Sequence, residues 1–216
     1  MWLLTSGPTR EHLDSVRFLS NASSGRMGFA IAEAALARDH EVTIVQGPVG
    51  LSPPPGAQIL PVVSAIEMLE NAARVLERGG VEALIGVAAV CDFRPARKLA
   101  GKPAKSEVSR HLDLVLNPDV LAELAARHLA RVHVGFALQS MATPEEASAA
   151  FVAARSKLAR KGLDAIVLNG AAAMESDESH AYWIPARGED VDLGAADKMA
   201  HARRLVACIE ELLTRR

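Results

Sequence analysis

Short apolar runs and helix-period segments take turns along this chain, and that alternation limits its fold more than any other feature. Strands buried on both faces need crossover helices between them. The pattern therefore predicts an α/β fold of Rossmann-like type, a mainly parallel sheet with helices on both faces. Candidate strands lie at 2–5, 41–46, 83–87, 132–136, 165–168 and 181–184. Helical patterns run over 26–38, 64–78, 118–130, 144–161 and 195–214, with Pro144 suited to a first turn. Gly47-Pro48 and the Pro-rich stretch 52–56 mark a loop after the second strand. One stretch, 94–116, breaks the rhythm. It reads as a basic loop followed by a strand through Leu112, Leu114 and Leu116 that leaves the main sheet, a projecting arm suited to meeting a partner subunit. At 216 residues, half of them apolar, the chain can bury one sizeable core, so residues 1–216 are expected to form one domain.

Composition removes several classes of function. A net charge of -2, with Lys and Arg dispersed among acids, gives no broad attraction to nucleic acid. The longest apolar stretches, such as 84–91, fall far short of the roughly 18 residues of a spanning helix. Cys91 and Cys208 form neither a CxxC pair nor a disulfide framework, which fits a reducing cytoplasm. The histidines form no HExxH, and no metal-ligand set can be read. Neither GxGxxG nor GxxxxGK[ST] occurs, and the second strand ends in Gln46 where a dinucleotide site wants an acid. Tyr182 has no Lys four residues on, so an NAD(P)-dependent reductase is the weaker reading.

Four constellations carry candidate chemistry. The loop after the first strand, residues 5–11 and then 16–28, gathers Gly7, Ser23, Ser24 and Gly25 with Arg10, Arg17 and Asn21 before a helix begins. Glycines admit an anion to the backbone, hydroxyls and arginines complement it, and the helix N-terminus adds a favourable dipole. A purely structural turn is the alternative. After the third strand, Ala88 and Ala89 are small enough for a ring or ribose to approach, and Asp92 offers a carboxylate, or else a cap. Arg97, Lys98, Lys102 and Lys105 form either a solvated loop or a phosphate lid. Phe136, at a strand end, lines a base or simply the core; Lys157 and Lys161 share one helix face and meet a phosphate or only the helix dipole. Cys91 reads as a small hydrophobe.

Together these segments resemble the phosphopantothenate-cysteine ligase (phosphopantothenoylcysteine synthetase) family over nearly the whole chain. The family pattern TSGGTRE or TAGPTRE, then DPVRYISN and SSGKMG, stands here at 5–11 and 14–28. AAVADYRP is matched at 88–95, GKIKKS at 101–106 and NPDIL at 117–121.

The resemblance implies a homodimeric ligase that joins 4'-phosphopantothenate to cysteine on the route to coenzyme A. CTP is the expected co-substrate, with ATP as the alternative, and Mg²⁺ accompanies the triphosphate. The substrate carboxylate takes the α-phosphate to give an acyl-cytidylate and pyrophosphate; the cysteine amine then displaces CMP. Position by position, Asn21 matches the asparagine that holds the activated acyl group, and Arg17 and Arg10 stand where substrate or phosphate is bound. Ala89, Asp92 and Phe136 match cytidine-binding positions, Lys105 the lysine that acts on the triphosphate, and Lys157 and Lys161 phosphate contacts. Lys102 opens the same lysine segment, so a basic lid and dimerisation arm are expected at about 94–116. Ala104, Gln139 and Ser179 depart from the family pattern, and a non-catalytic nucleotide-binding paralogue is the alternative these departures raise. Because Met1-Trp2 already reads as strand, the expectation is a freestanding ligase without FMN, its product passing to a decarboxylase on a separate chain.

Overall fold

The computed structural model describes residues 1–102, 111–170 and 178–215. Its centre is β1 (Trp2–Ser6), all of it buried, paired in parallel with β4 (Val42–Gln46) on one side and β6 (Ala83–Gly86) on the other. Beyond β4 lies β5 (Gln58–Pro61), and beyond β6 lie β9 (Val132–Gln139) and β10 (Ala165–Gly170), all still parallel. The antiparallel strands β11 (Glu178–Pro185) and β12 (Val191–Asp197) complete the sheet, giving the order β12-β11-β10-β9-β6-β1-β4-β5.

Alternation along each strand sends successive side chains to opposite faces. Trp2, Leu4, Ile44, Ile85 and Val134 pack with α1 (Arg26–Leu36) and α5 (Lys198–Thr214) through Phe29, Ile31, Leu205, Val206 and Ile209. Leu3, Val45 and Leu84 pack on the other face against α2 (Ala65–Glu77) and α3 (Val120–Ala125) through Met68, Leu76 and Leu124. Farther along that face, Ile166, Leu168 and Ile184 meet Ala150, Ala154 and Leu158 of α4 (Pro144–Lys161). Ser64 and Glu67 form a reciprocal cap at the start of α2, and Thr143 with Pro144 starts α4. Among the described residues no helix is long and apolar enough to cross a membrane.

Several expectations shift in the structure. The helix read over 118–130 is the six-residue α3: the chain turns at His128, whose φ is 53°, before entering β9. The last helix starts at Lys198, because Asp197 accepts the Ala200 amide and caps it. Residues 195–197 instead finish β12, which pairs with β11 through small residues that carry little strand signal. Two hairpin-like ribbons stand outside the main sheet: β2 (Arg10–His12) with β3 (Phe18–Ser20), and β7 (Phe93–Pro95) with β8 (Leu114–Leu116). The second is the strand that was expected to leave the sheet. Lys105 and the middle of the anticipated lid and arm, 103–110, lie outside the described residues.

The N-terminal turn of α1 approaches β1 closely at Gly28. A Cβ there would stand 2.2 Å from Ser6 Oγ and 2.6 Å from Ser6 Cβ, so the helix and strand would have to separate. Gly28→Ala is expected to lower the free energy of urea unfolding by about 1–3 kcal/mol. A double-mutant cycle with Ser6→Gly should show positive coupling, since removing that side chain removes the clash.

Candidate functional site

The sheet order places β1 beside both β4 and β6, while the chain crosses over in opposite directions after β1 and after β6. A crevice opens between those two exits, the place where open α/β sheets receive ligands. A seam of hydrogen bonds ties the two loops there. The Ala89 amide donates to the Gly7 carbonyl at 2.9 Å, the Thr9 amide to the Ala89 carbonyl at 3.3 Å, and the Cys91 amide to Thr9 Oγ1 at 3.0 Å. Asn21 reaches across the same seam, its Nδ2 donating to the carbonyls of Ala89 at 3.1 Å and Val90 at 3.0 Å. Gly7 has a φ of 78°, and a Cβ on it would stand 2.5 Å from Gln46 Nε2, which itself donates to the Gly47 carbonyl at 2.7 Å.

Three cavities adjoin this seam. The first, about 340 Å³, lies between residues 22–28, the loop 87–90, Phe136 to Leu138 in the C-terminal half of β9, which runs past the expected end at 136, and Asn169 near the end of β10. The cap residue of α1, Gly25, supplies no side-chain cap, and residues 25–28 at the helix start line that cavity. Two polar atoms also lie buried in its lining without a partner among the described residues, Ser6 Oγ and Asn169 Oδ1. Orphaned acceptors and donors of this kind mark a place where a ligand completes the hydrogen bonding. The second cavity, about 560 Å³, lies toward α3 and α4 and is lined by Asp92, Asn117, Asp119 and Lys161. Phe136, Lys157, Ala88 and Val90 line both. The third holds Arg10, Phe18, Asn21, Ser23, Ser24 and Arg26 against the loop 48–51.

Charge is arranged unevenly. Lys161 Nζ lies 2.5 Å from Asp119 Oδ1, with Arg160 3.3 Å from the other oxygen. Burial opposes the charge of Asp119, but Lys161, the Ala122 amide and Arg160 outweigh it and hold the carboxyl below its usual range. Lys157 has no such partner. Its Nζ donates to the Phe136 carbonyl at 2.9 Å, and burial, reinforced by the Lys161 charge, pushes its ammonium below the ordinary lysine range.

The structure gathers Asn21, Ser23, Ser24, Gly25, Ala89, Asp92, Phe136, Lys157 and Lys161 around the crevice, with Gly7 in its backbone frame. Arg10 lines the third cavity, its guanidinium 4.6 Å above the Phe18 ring. Arg17 does not join them: it turns back to Asp14, Nη2 to Oδ2 at 2.5 Å. Lys102 is exposed beyond the arm, and Lys105 falls outside the described residues. Two motif acids prove structural. Glu11, buried, accepts the Ala65 amide at 2.9 Å and so anchors the first ribbon on the N-terminus of α2. Asp14 accepts the Val16 and Arg17 amides at 2.8 and 2.7 Å. Ser6 and Asn169, which also line the first cavity, were not among the expected site residues: Ser6 follows Thr5 in β1 and Asn169 precedes Gly170 in β10, so neither stands out locally. Among the described residues no three His, Cys, Asp or Glu side chains converge as a metal site.

Comparison with known proteins gives the family and the fold. The family model for the DNA/pantothenate metabolism flavoprotein C-terminal domain matches residues 1–213. The coenzyme A biosynthesis bifunctional protein CoaBC of Bacillus subtilis is 39% identical over 168 residues, covering 77% of this chain and 39% of that protein. This chain thus spans about two fifths of the length of that relative. The crystal structure of the C-terminal domain of a CoaBC protein superposes with a TM-score of 0.81 at 31% identity, covering 99% of this chain and 95% of that one. A Cab2 variant in complex with phosphopantothenate-cysteine shares the fold, with a TM-score of 0.74 at 18% identity, 99% of this chain and 87% of that one.

The Asp14 carboxyl, held first by the Arg17 amide and then by that of Val16, is lowered from 3.8 to about 2. A depressed carboxyl lends its stability above the unfolded value and loses it as pH falls through the folded one. Thermal melts of the wild type against Asp14→Asn should therefore differ most above pH 4 and converge as the pH approaches 2.

Proposed function

Because the chain belongs to the DNA/pantothenate metabolism flavoprotein C-terminal domain family, we propose that it is a phosphopantothenate-cysteine ligase. The observation that carries the reading is the first cavity, where an uncapped helix start and two orphaned polar atoms adjoin the Asn21 seam. Such a site suits a nucleoside triphosphate, its phosphates at the α1 amides and Ser23, Ser24 and Gly25, and its base near Phe136. Asn21, fixed by two carbonyls on the neighbouring loop, borders the position where a carboxylate would meet the α-phosphate.

The chemistry follows from the need to activate a carboxylate that is a poor acceptor for an amine. Attack of its oxygen on the α-phosphate expels pyrophosphate and leaves a mixed anhydride; the cysteine amine then attacks the acyl carbon and releases the nucleoside monophosphate. Dividing one hard step in two lowers each barrier. CTP is the proposed co-substrate, bringing Mg²⁺ on its phosphates. Asp92, exposed in the second cavity, is the carboxylate nearest at hand for ribose hydroxyls or a hydrated cation. Lys102 and Lys105 are proposed to close over the triphosphate, and Arg10 and Arg17 to meet the phosphate of the acid substrate. The ribbon of β7 and β8 exposes Phe93, Leu114, Val115 and Leu116, an apolar surface suited to the same ribbon in a second copy, so the protein is proposed to act as a homodimer. Two free cysteines accord with a reducing compartment such as the cytoplasm.

An assay with phosphopantothenate, cysteine, Mg²⁺ and either CTP or ATP tests the reading. Pyrophosphate release and amide formation should both appear and should be fastest with CTP; no pyrophosphate with any triphosphate would overturn it. Asn21→Asp puts a carboxylate, which cannot donate, against the Ala89 and Val90 carbonyls, so the rim should shift and turnover slow by about 10²-fold. Lys105→Gln should slow pyrophosphate release itself, and wild-type turnover in both variants would remove these residues from their assigned roles.

A further inference from the structure

Amide formation demands something that the binding of a triphosphate does not. Cysteine arrives as an ammonium ion, and its nitrogen has no lone pair until a proton leaves. Resting on the ligase reading above, we propose that Lys157 takes this proton, acting as the base for the second half of the reaction. The position is right for the task. Lys157 lies in the wall shared by the first and second cavities, as does Val90, whose carbonyl Asn21 holds.

Its neighbourhood separates it from the other cations of the site. On its own helix Lys161 and Arg160 are both engaged by Asp119, which comes from the turn before α3. Asp92 faces it from the loop after β6 across the second cavity, and Arg26 and Lys198 line the first cavity with it. Its own hydrogen bond runs to an uncharged acceptor, the Phe136 carbonyl. An amine can donate there whether or not it is protonated, and in the neutral state it keeps a lone pair for a substrate proton. Burial and then the Lys161 charge favour that neutral state most; Asp119 opposes it less than these do but more than Arg160 assists, and Asp92 opposes it least.

The step balances without a further reactant. Lys157 accepts one proton from the ammonium, and the freed lone pair forms the bond to the acyl carbon. The bond from that carbon to the phosphate oxygen then breaks, its electron pair leaves with the nucleoside monophosphate, and the second nitrogen proton goes to that phosphate or to water.

Lys157→Arg distinguishes a base from a phosphate contact, because guanidinium keeps the charge and cannot give up its proton. In this variant amide formation with cysteine at neutral pH should fall about 10²–10⁴-fold further than pyrophosphate release from CTP and phosphopantothenate does. The lost rate should return as pH rises through the ionisation of cysteine's own amine. Hydroxylamine, already uncharged at neutral pH, should restore acyl transfer, detected as the hydroxamate. Equal loss of pyrophosphate release and amide formation, or no preference for hydroxylamine, would reduce Lys157 to a nucleotide contact and overturn the proposal. A wild type that releases no pyrophosphate would instead overturn the ligase reading on which it stands.

Discussion

Every feature of the site depends on the seam between the loops that leave β1 and β6. Parallel strands cannot be joined by a tight turn, so two neighbouring exits of this kind come from distant parts of the sequence and would splay apart if nothing bound them. Here backbone amides of Thr9, Ala89 and Cys91, with the Asn21 side chain, bind them directly. Each such bond contributes only about 0.5–1.5 kcal/mol, but at the buried Thr9 and Cys91 end breaking one leaves a partner unsatisfied and costs more, whereas the Asn21 bonds are exposed. The seam is therefore cooperative. It turns two loops into one rigid rim from which Asn21 projects at a fixed place.

Motif residues around that rim divide into those that face the crevice and those that hold it up. Glu11 and Asp14 look from their positions like ligands, yet one caps α2 and the other closes the turn of the first ribbon. Arg17, beside them, is engaged by Asp14 instead of facing a cavity. Proteins commonly place polar residues in a loop to satisfy its own backbone first, and the remainder are available for chemistry.

The apolar runs made the parallel core legible, because strands buried on both faces leave an uninterrupted signal. The antiparallel edge was less so. β12 carries Gly194, Ala195 and Ala196, whose small side chains read as helix as readily as strand, and its pairing with β11 is a tertiary decision. Three-residue ribbons such as β2 with β3 were invisible for the same reason. Among the candidate residues, Gly7 and Ala89 were legible because they follow the strands whose exits form the crevice, whereas Phe136 falls inside β9, which runs on to Gln139. Asn169 lies within β10, and its buried oxygen, without a partner among the described residues, is a product of tertiary packing that no local pattern announces.

β1, flanked in the sheet by β6 and β4, is also the earliest strand in this sequence. Trp2, Leu3 and Leu4 find their neighbours only when residues 42–46 and 83–86 are available, so a growing or refolding polypeptide carries this apolar segment unpaired for a long interval. Contacts of such wide sequence separation slow folding and leave sticky intermediates open to association. The same arrangement that shelters β1 most completely in the finished molecule makes the opening residues the part most in need of protection while it is being built.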